Sequence, residues 1–372
     1  MKILVDVTTW CPGRTGVGLY TEHVLRAWQA TGQDELIFAT NKDFSEFSDM
    51  PVHKIGPRMP IRAAWMQTAL AVQAAKLRPD AAFFPNYMAP LTLSAGLPRI
   101  PYVITVHDLA IFLYPETFTF KKRVLQRLLL PTLARGAAAI LTPSEATRRD
   151  VLRILPVQPE RVVAVPLAAD ARFHTPPDAL TIARERKNLQ LPKHFLLAVG
   201  TLEPRKNLVR LIEAFERVAP AHPDIALVLA GGRGWKDEGI ARTLNASPLK
   251  NRIHPVGYVS PDALKVLYHE AIALCYPSLY EGFGLPVVEA MASGAPVLTS
   301  RGSSLDEVAA GAAVAVDPLD VAEIAAGMTQ LISDGDLRAR LRALGLARAA
   351  ELSWAKTATG TRAVFAQVTG KP

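Results

Sequence analysis

Short apolar runs alternate with helical patterns along the whole chain, and that alternation leaves few folds open. Apolar runs occur at 2–6 (KILVD), 36–39 (LIFA), 81–84 (AAFF), 102–106 (YVITV), 138–142 (AAILT) and 162–165 (VVAV), with helical patterns near 19–31, 61–78, 121–135 and 145–154 between them. A second series follows at 195–200 (FLLAVG), 224–230, 252–256, 272–277 (IALCYP), 296–300 and 312–316. Unbroken apolar runs suit parallel strands covered on both faces, and the βαβα order predicts crossovers onto a sheet. At 372 residues the chain is too long for one ordinary core. Two doubly wound α/β domains are therefore expected, 1–170 and 171–351, with the polar, proline-bearing stretch 169–194 as the crossing. In such folds ligands lie where strand C-terminal ends open.

The segment SLYEGFGLPVVEAMASGAPVLTS (278–300) is the most informative of these loops. Its Pro286 suits the start of a helix, Val287, Val288 and Met291 share an apolar face, and Gly294 is placed to end the helix in a left-handed conformation. Gly282 and Gly284, just ahead of that helix, offer backbone N–H groups and a positive dipole end to an anion. Glu289 is placed by this reading in the first helical turn, where a carboxylate would repel phosphate but could accept hydrogen bonds from sugar hydroxyls. Phosphate beside a polyol describes a nucleotide or nucleotide-sugar.

With Glu281 and Glu289 bracketing GFGLP, the segment closely resembles the retaining glycosyltransferases of the GT-B fold, family 4. The resemblance implies two Rossmann-like domains facing a central cleft, with an N-terminal acceptor side and a C-terminal donor side. It also implies a last helix at 352–368 that packs back on the N-terminal domain. It assigns Glu281 to the donor sugar and Glu289 to the ribose hydroxyls, with Gly282, Phe283, Gly284 and Leu285 around the nucleotide-sugar.

Other loops fall into the same frame. In GTLEPRKN (200–207), Arg205 and Lys206 could pair with a diphosphate, Arg through its fork and Lys as a point charge. The matching family residues hold the donor phosphates, and Gly200 opens this loop. CPGRTGVGLY (11–20) lacks the third glycine of a dinucleotide fingerprint. Its residues alone fit a close-approach loop and an ordinary turn equally, and the resemblance places Gly16 and Gly18 at the site. His107, at the end of YVITV, could orient a sugar hydroxyl or simply bond neighbouring backbone; the resemblance favours the first. Asp108 and Ser144 read as caps, and Gly231 and Gly232 as turn formers. VGYV (256–259) matches a family segment that meets the base, which nominates Gly257 and Tyr258.

Charge and composition narrow the partners. Residues 51–150 hold 13 Lys/Arg against 5 Asp/Glu, which accounts for the whole net charge of +8. Within them lie Lys121, Lys122, Arg123 and Arg127, followed by Leu128, Leu129 and Leu130, and the pattern at 61–78 carries Trp65 and Met66. Two readings stand: basic residues beside exposed apolar ones at an anionic membrane, or a solvated face over core leucines. Nucleic acid is disfavoured, because no stacking surface or binding motif is present. Cys11 and Cys275 are isolated thiols, and the N-terminus reads as a first strand, so a cytoplasmic protein, peripheral to the membrane on the first reading, is expected. The only Asp-x-Asp, Asp334-Gly335-Asp336, reads as a turn with a cap. No metal site and no cofactor are expected.

The resemblance thus implies transfer of a hexose from a nucleoside diphosphate sugar to a glycan or lipid-linked acceptor in O-antigen or other polysaccharide synthesis. GDP-mannose is favoured as donor over UDP-glucose. A nucleotide-sugar 2-epimerase and a non-catalytic carbohydrate-binding scaffold are the alternatives. The expected mechanism is front-face departure through an oxocarbenium-like state, with the leaving diphosphate deprotonating the acceptor and the protein supplying position and charge.

Overall fold

The structure is a computed structural model that describes residues 1–10, 16–41, 52–54, 62–234 and 236–371. Cys11, Gly13 and residues 55–61 of the basic region lie outside it. The chain forms two compact units. One comprises Met1–Leu113, Thr119–Leu167 and Ser353–Pro372; the other comprises Tyr114–Phe118 and Ala168–Leu352.

The first unit is built on β1 (Lys2–Asp6), β2 (Glu35–Thr40), β3 (Val52–Lys54), β4 (Ala81–Phe84), β5 (Tyr102–Thr105), β6 (Ala139–Thr142) and β7 (Val162–Ala164). They form one parallel sheet in the order β3-β2-β1-β4-β5-β6-β7. Successive residues of a strand face opposite sides, and both sides are covered. Leu4, Ile37, Phe84 and Ile104 face a core that also takes in Trp65, Met66, Leu130 and Leu133. On the other side Phe83 meets Trp28 and Phe365. Trp65 and Met66 are therefore core residues and contribute nothing to an exposed apolar surface. The three-residue edge strand β3 escaped the sequence reading, because so short a stretch shows no periodicity.

The last helix, Trp354–Thr369, is started by Ser353, whose hydroxyl accepts from the Lys356 N–H at 3.2 Å. It docks on the first unit. Phe365 lies 5.1 Å from Trp28 and 5.4 Å from Phe83, Arg362 pairs with Asp34 at 2.7 Å, and the Thr357 hydroxyl donates to the Pro166 carbonyl at 2.7 Å.

The second unit carries β8 (His194–Val199), β9 (Ile225–Ala230), β10 (Ile253–Gly257), β11 (Ala273–Tyr276), β12 (Val297–Ser300) and β13 (Val314–Val316), parallel in the order β10-β9-β8-β11-β12-β13. The stretch 169–194 is not an open crossing. It holds a 3₁₀ turn at Ala171–His174 and a helix at Ala179–Asn188, with Phe173 edge-on to Tyr268 and Arg186 paired to Glu270 at 2.8 Å. Buried partners fold it into the second unit despite its polar composition. Among the described residues no helix is long and apolar enough to cross a membrane.

The docking of the last helix yields a stability prediction. Phe365→Ala should cost about 3–5 kcal/mol in denaturant unfolding, the usual range for emptying a buried aromatic site. A loss below about 1 kcal/mol would mean that this helix is not an integral part of the first unit's core.

Candidate functional site

In the second sheet the strand order reverses between β8 and β11. The chain leaves β8 towards β9 and leaves β11 towards β12, so the loops beyond their C-terminal ends part and open a crevice. The loop after β8 begins at Gly200 (φ 134°), makes a 3₁₀ turn at Pro204–Lys206, and enters the helix Leu208–Val218 through Asn207 (φ 59°). A Cβ at Gly200 would lie 3.1 Å from the Lys206 side chain, and one at Gly231 only 2.0 Å from the Gly200 carbonyl oxygen. These two glycines let the backbone close down around Lys206. Asn207 clamps the loop to the end of β11, donating from Nδ2 to the Pro277 carbonyl at 3.0 Å. The Leu279 N–H donates to the Arg205 carbonyl at 2.9 Å.

These clamps bring Arg205, Lys206 and Glu281 together. Arg205 Nη1 donates to Glu281 Oε2 at 2.6 Å and to the Tyr280 carbonyl at 2.7 Å, while Nη2 donates to Glu203 Oε1 at 2.7 Å. Lys206 Nζ donates to Glu281 Oε1 and to the Tyr276 hydroxyl, each at 2.6 Å. The Tyr276 hydroxyl in turn donates to Glu281 Oε1 at 3.0 Å. No side chain in the four-charge group is more than 14% exposed. Burial would raise the Glu281 carboxyl, but Arg205 and Lys206 outweigh it and hold the group at about 2. Burial pushes the Lys206 ammonium down and Arg205 adds to that, while Glu281 opposes. Two cations and two carboxylates thus balance in formal charge. The basic pair is largely covered, not an exposed solvated pair, and Glu281 is bound to it before any ligand arrives.

The sequence reading missed Glu203 and Tyr276. Glu203 lies inside the loop already singled out, and Tyr276 ends an apolar strand. Neither carries a spacing signal, because their roles arise from the adjacency of β8 and β11.

Glu281 also anchors the next turn, where the Ser304 hydroxyl donates to its carbonyl at 2.5 Å. Gly282, Phe283 and Gly284 are buried, and a Cβ at Gly284 (φ 103°) would fall 2.3 Å from Leu305. The helix runs Leu285–Ala292 with Pro286 as its second residue. At its end Gly294 (φ 75°) donates to the Met291 carbonyl, and Ala295 to that of Ala290, a Schellman termination. Glu289 is consequently the fifth helical residue and lies in the second turn, not the first. It is buried and accepts from the Tyr268 hydroxyl at 3.0 Å. Burial dominates here and lifts its carboxyl to about 7, against the smaller opposing effect of that hydrogen bond.

Gly257 (φ 71°) ends β10, and its carbonyl accepts from the Gly231 N–H at 2.8 Å, so the ends of β10, β9 and β8 are stitched in sequence. Tyr258 is 73% exposed. In the first unit, Gly16 and Gly18 lie in the opening turn of the helix Gly16–Gln29, Gly16 exposed and Gly18 buried. His107 Nε2 donates to the Pro85 carbonyl at 2.7 Å, and its ring stands edge-on to Tyr20 at 4.8 Å. Burial lowers its pKa, with Pro85 and Asp108 opposing. A neutral ring that donates from Nε2 leaves Nδ1 as an acceptor. Asp108 caps the Ala110 N–H at 3.0 Å, Ser144 the Thr147 N–H at 3.0 Å and Asp334 the Leu337 N–H at 2.8 Å. Among the described residues no group of three or more His, Cys, Asp or Glu is arranged to hold a metal ion.

The two glutamates have opposite linkage to pH. Glu281, lowered in the folded state, contributes stability above its ordinary 4.5 that is lost as pH falls through about 2. Glu289, raised to about 7, destabilises progressively as pH rises from 4.5 to 7. At pH 8, Glu289→Gln should therefore stabilise the protein by up to about 3 kcal/mol, and Glu281→Gln should destabilise it by a similar amount. Urea unfolding of both variants checks this. Changes of the same sign would contradict the assignment.

Comparison with known proteins identifies the family. Residues 181–346 match the family described as glycosyl transferases group 1, and residues 15–168 match the glycosyl transferase 4-like domain. The O-antigen chain mannosyltransferase B of Escherichia coli is 34% identical over 282 residues, covering 74% of this chain and 71% of that protein. The serotype-specific mannosyltransferase WbdA of Escherichia coli is 28% identical over 312 residues, covering 80% of this chain but only 38% of that longer protein. The crystal structure of Anabaena Alr3699/HepE in complex with UDP and glucose superposes with a TM-score of 0.78 at 18% identity, over 99% of this chain and all of that one. The chain belongs to the group 1 glycosyltransferases, family 4, and has their GT-B fold.

Proposed function

We propose that this glycosyltransferase moves a hexose, with mannose favoured, from a nucleoside diphosphate donor to a glycan or lipid-linked acceptor in surface-polysaccharide synthesis, with retention at the anomeric carbon. The observation that carries this reading is the buried Arg205–Lys206–Glu281 cluster at the strand-order reversal, on the loop that leads to Glu289. Mannosyltransferase relatives support the choice of sugar.

In this proposal the donor diphosphate binds against Arg205 and Lys206. Both cations are already oriented by carboxylates, so little reorganisation accompanies the charge that builds on the leaving group. Glu281 is held by two cations at low basicity, which makes it a poor nucleophile. That favours departure of the diphosphate from the face the acceptor attacks, over a covalent sugar–enzyme intermediate. Glu281 then presents its remaining lone pairs to the sugar hydroxyls. His107 Nδ1 is proposed as an acceptor for a sugar hydroxyl, and Gly16 and Gly18 as a close-approach segment. Gly200, Gly257 and Tyr258 border the nucleotide in this reading, with Gly282, Phe283, Gly284 and Leu285 contributing the glycine turn. In this reading Arg205 and Lys206 offer the diphosphate hydrogen-bond donors, beside the N–H groups of the glycine turn, and turnover without added metal is proposed. The enzyme is placed on the cytoplasmic side, where nucleotide-sugars are made.

Glu289 gives this proposal a pH signature. The carboxylate accepts from two ribose hydroxyls only when ionised, and its pKa of about 7 in the free protein means that binding releases a proton below that pH. Donor affinity should rise about tenfold per pH unit up to about 7 and then level off, and Glu289→Gln should flatten the profile. A parent profile flat from pH 5.5 to 8 removes Glu289 from the ribose site.

Thermal-shift measurements with GDP, UDP, ADP and their sugars should show the largest stabilisation with GDP-mannose; a UDP-sugar preference would reassign the donor. Arg205→Ala and Lys206→Ala should each lower kcat/KM by about 2–4 kcal/mol in transition-state stabilisation. Unchanged kcat/KM in either variant contradicts the diphosphate role. Activity should persist in chelator, and complete loss restored by Mg²⁺ or Mn²⁺ would overturn the metal-independent reading.

A further inference from the structure

The last residue of β11 carries a hydroxyl where its neighbours carry none. The strand reads Ala273, Leu274, Cys275 and Tyr276, every side chain is buried, and Tyr276 is 3% exposed. A buried hydroxyl needs partners, and this one meets two charged groups. It accepts from Lys206 Nζ at 2.6 Å and donates to Glu281 Oε1 at 3.0 Å. Burial, with the Glu281 charge adding to it, raises the Tyr276 hydroxyl well above its ordinary range. It therefore stays protonated, which fixes the direction of both bonds. The Lys206 ammonium also lies 5.0 Å from the centre of the Tyr276 ring.

Donor and acceptor capacity sets what remains for a ligand. An ammonium has three N–H groups and a carboxylate has about four acceptor positions. Among the described residues Lys206 places one N–H on Glu281 Oε1 and one on Tyr276, which leaves one. Glu281 Oε1 is filled by Lys206 and Tyr276, and Oε2 takes Arg205, which leaves one position on Oε2. A lysine is a point charge on a flexible stem and has no preferred direction of its own. With two N–H groups tied to fixed oxygens, the direction of the third is set.

We propose that Tyr276 is a positioning residue for Lys206, its hydroxyl aiming the one remaining N–H at the diphosphate oxygen where charge builds as the sugar leaves. The hydroxyl touches neither phosphate nor sugar and acts through Lys206. Its second bond ties that direction to Glu281, the carboxylate proposed to hold the sugar. The inference rests on the assignment of Lys206 to the diphosphate and adds a residue that no motif marks. A purely structural tyrosine is the competing account, in which the ring fills the strand end and the hydroxyl only completes the cluster.

Calorimetric titration of the full chain with GDP, UDP, GDP-mannose and UDP-glucose separates the two without an acceptor. A free nucleoside diphosphate carries on its terminal phosphate the charge that builds during sugar departure, and the nucleotide-sugar does not. Tyr276→Phe keeps the ring and removes only the hydroxyl. It should weaken the nucleoside diphosphate that the parent prefers by about tenfold, and the matching nucleotide-sugar by less than about twofold. In a Lys206→Ala background the same substitution should change nucleoside diphosphate binding by less than about twofold, because its effect passes through Lys206. Losing an acceptor disfavours the ammonium, so the variant's affinity should fall off at a pH about one unit below the parent's. Glu281, Arg205 and Glu203 are the other charged groups that face Lys206, and the comparison leaves all three in place. Equal weakening of both ligands, weakening of neither, or an undiminished effect in the Lys206→Ala background would overturn the positioning role. A parent that binds no nucleotide, or a Lys206→Ala variant that binds nucleoside diphosphate like the parent, would instead remove the diphosphate assignment, and this inference with it.

Discussion

The organisation of the second unit turns on one buried ionic contact, the grip of Arg205 and Lys206 on Glu281. Removing four charged side chains from water costs several kcal/mol per ion, and only close geometry with further hydrogen bonds returns it. Here Glu203, the Tyr276 hydroxyl and the Tyr280 carbonyl provide those bonds. The contact also ties two loops that are 75 residues apart in sequence to the ends of adjacent strands. Glycines at 231 and 284 are a steric condition for it, because a Cβ there would strike the Gly200 carbonyl or the Leu305 side chain, while Gly200 (φ 134°) adopts a backbone conformation that other residues rarely take.

Glu289 is the counterpoint. It is buried, it accepts from the Tyr268 hydroxyl, and burial pushes its carboxyl up to about 7. A carboxylate kept where burial penalises its charge is a mark of a functional site. The two glutamates share one loop and helix yet sit at opposite ends of the carboxylate range. One is locked ionised as part of a neutral cluster; the other can be drawn into ionisation by a ligand that donates hydrogen bonds. That division suits a donor with a charged diphosphate between two polyols.

Much of this fold was legible because buried parallel strands are written as plain apolar runs. IALCYP, FLLAVG and YVITV became β11, β8 and β5 within a residue or two, and the glycine and cap positions at Gly294, Ser144 and Asp334 followed from local chemistry. The second-unit site was legible as a set of residues but not as a circuit. Sequence put Arg205 and Lys206 on a diphosphate and Glu281 on a sugar as separate contacts, whereas the structure joins them before ligand binding. Their pairing depends on β8 lying beside β11, which no local pattern encodes. Glu289 was placed one turn early because helix starts are uncertain by a residue or more around a glycine turn. The basic region divided for a similar reason: Trp65 and Met66 are core while Phe120 and Leu128 face solvent, and which side of a doubly apolar helix is covered depends on the neighbouring sheet.

The most direct test of the central claim is a crystal structure of the protein with GDP or a GDP-sugar. This account predicts diphosphate oxygens within about 3.2 Å of Arg205 and Lys206, with the ribose hydroxyls on Glu289. Nucleotide bound elsewhere, or bound with its diphosphate facing away from an intact Arg205–Lys206–Glu281 cluster, would contradict it.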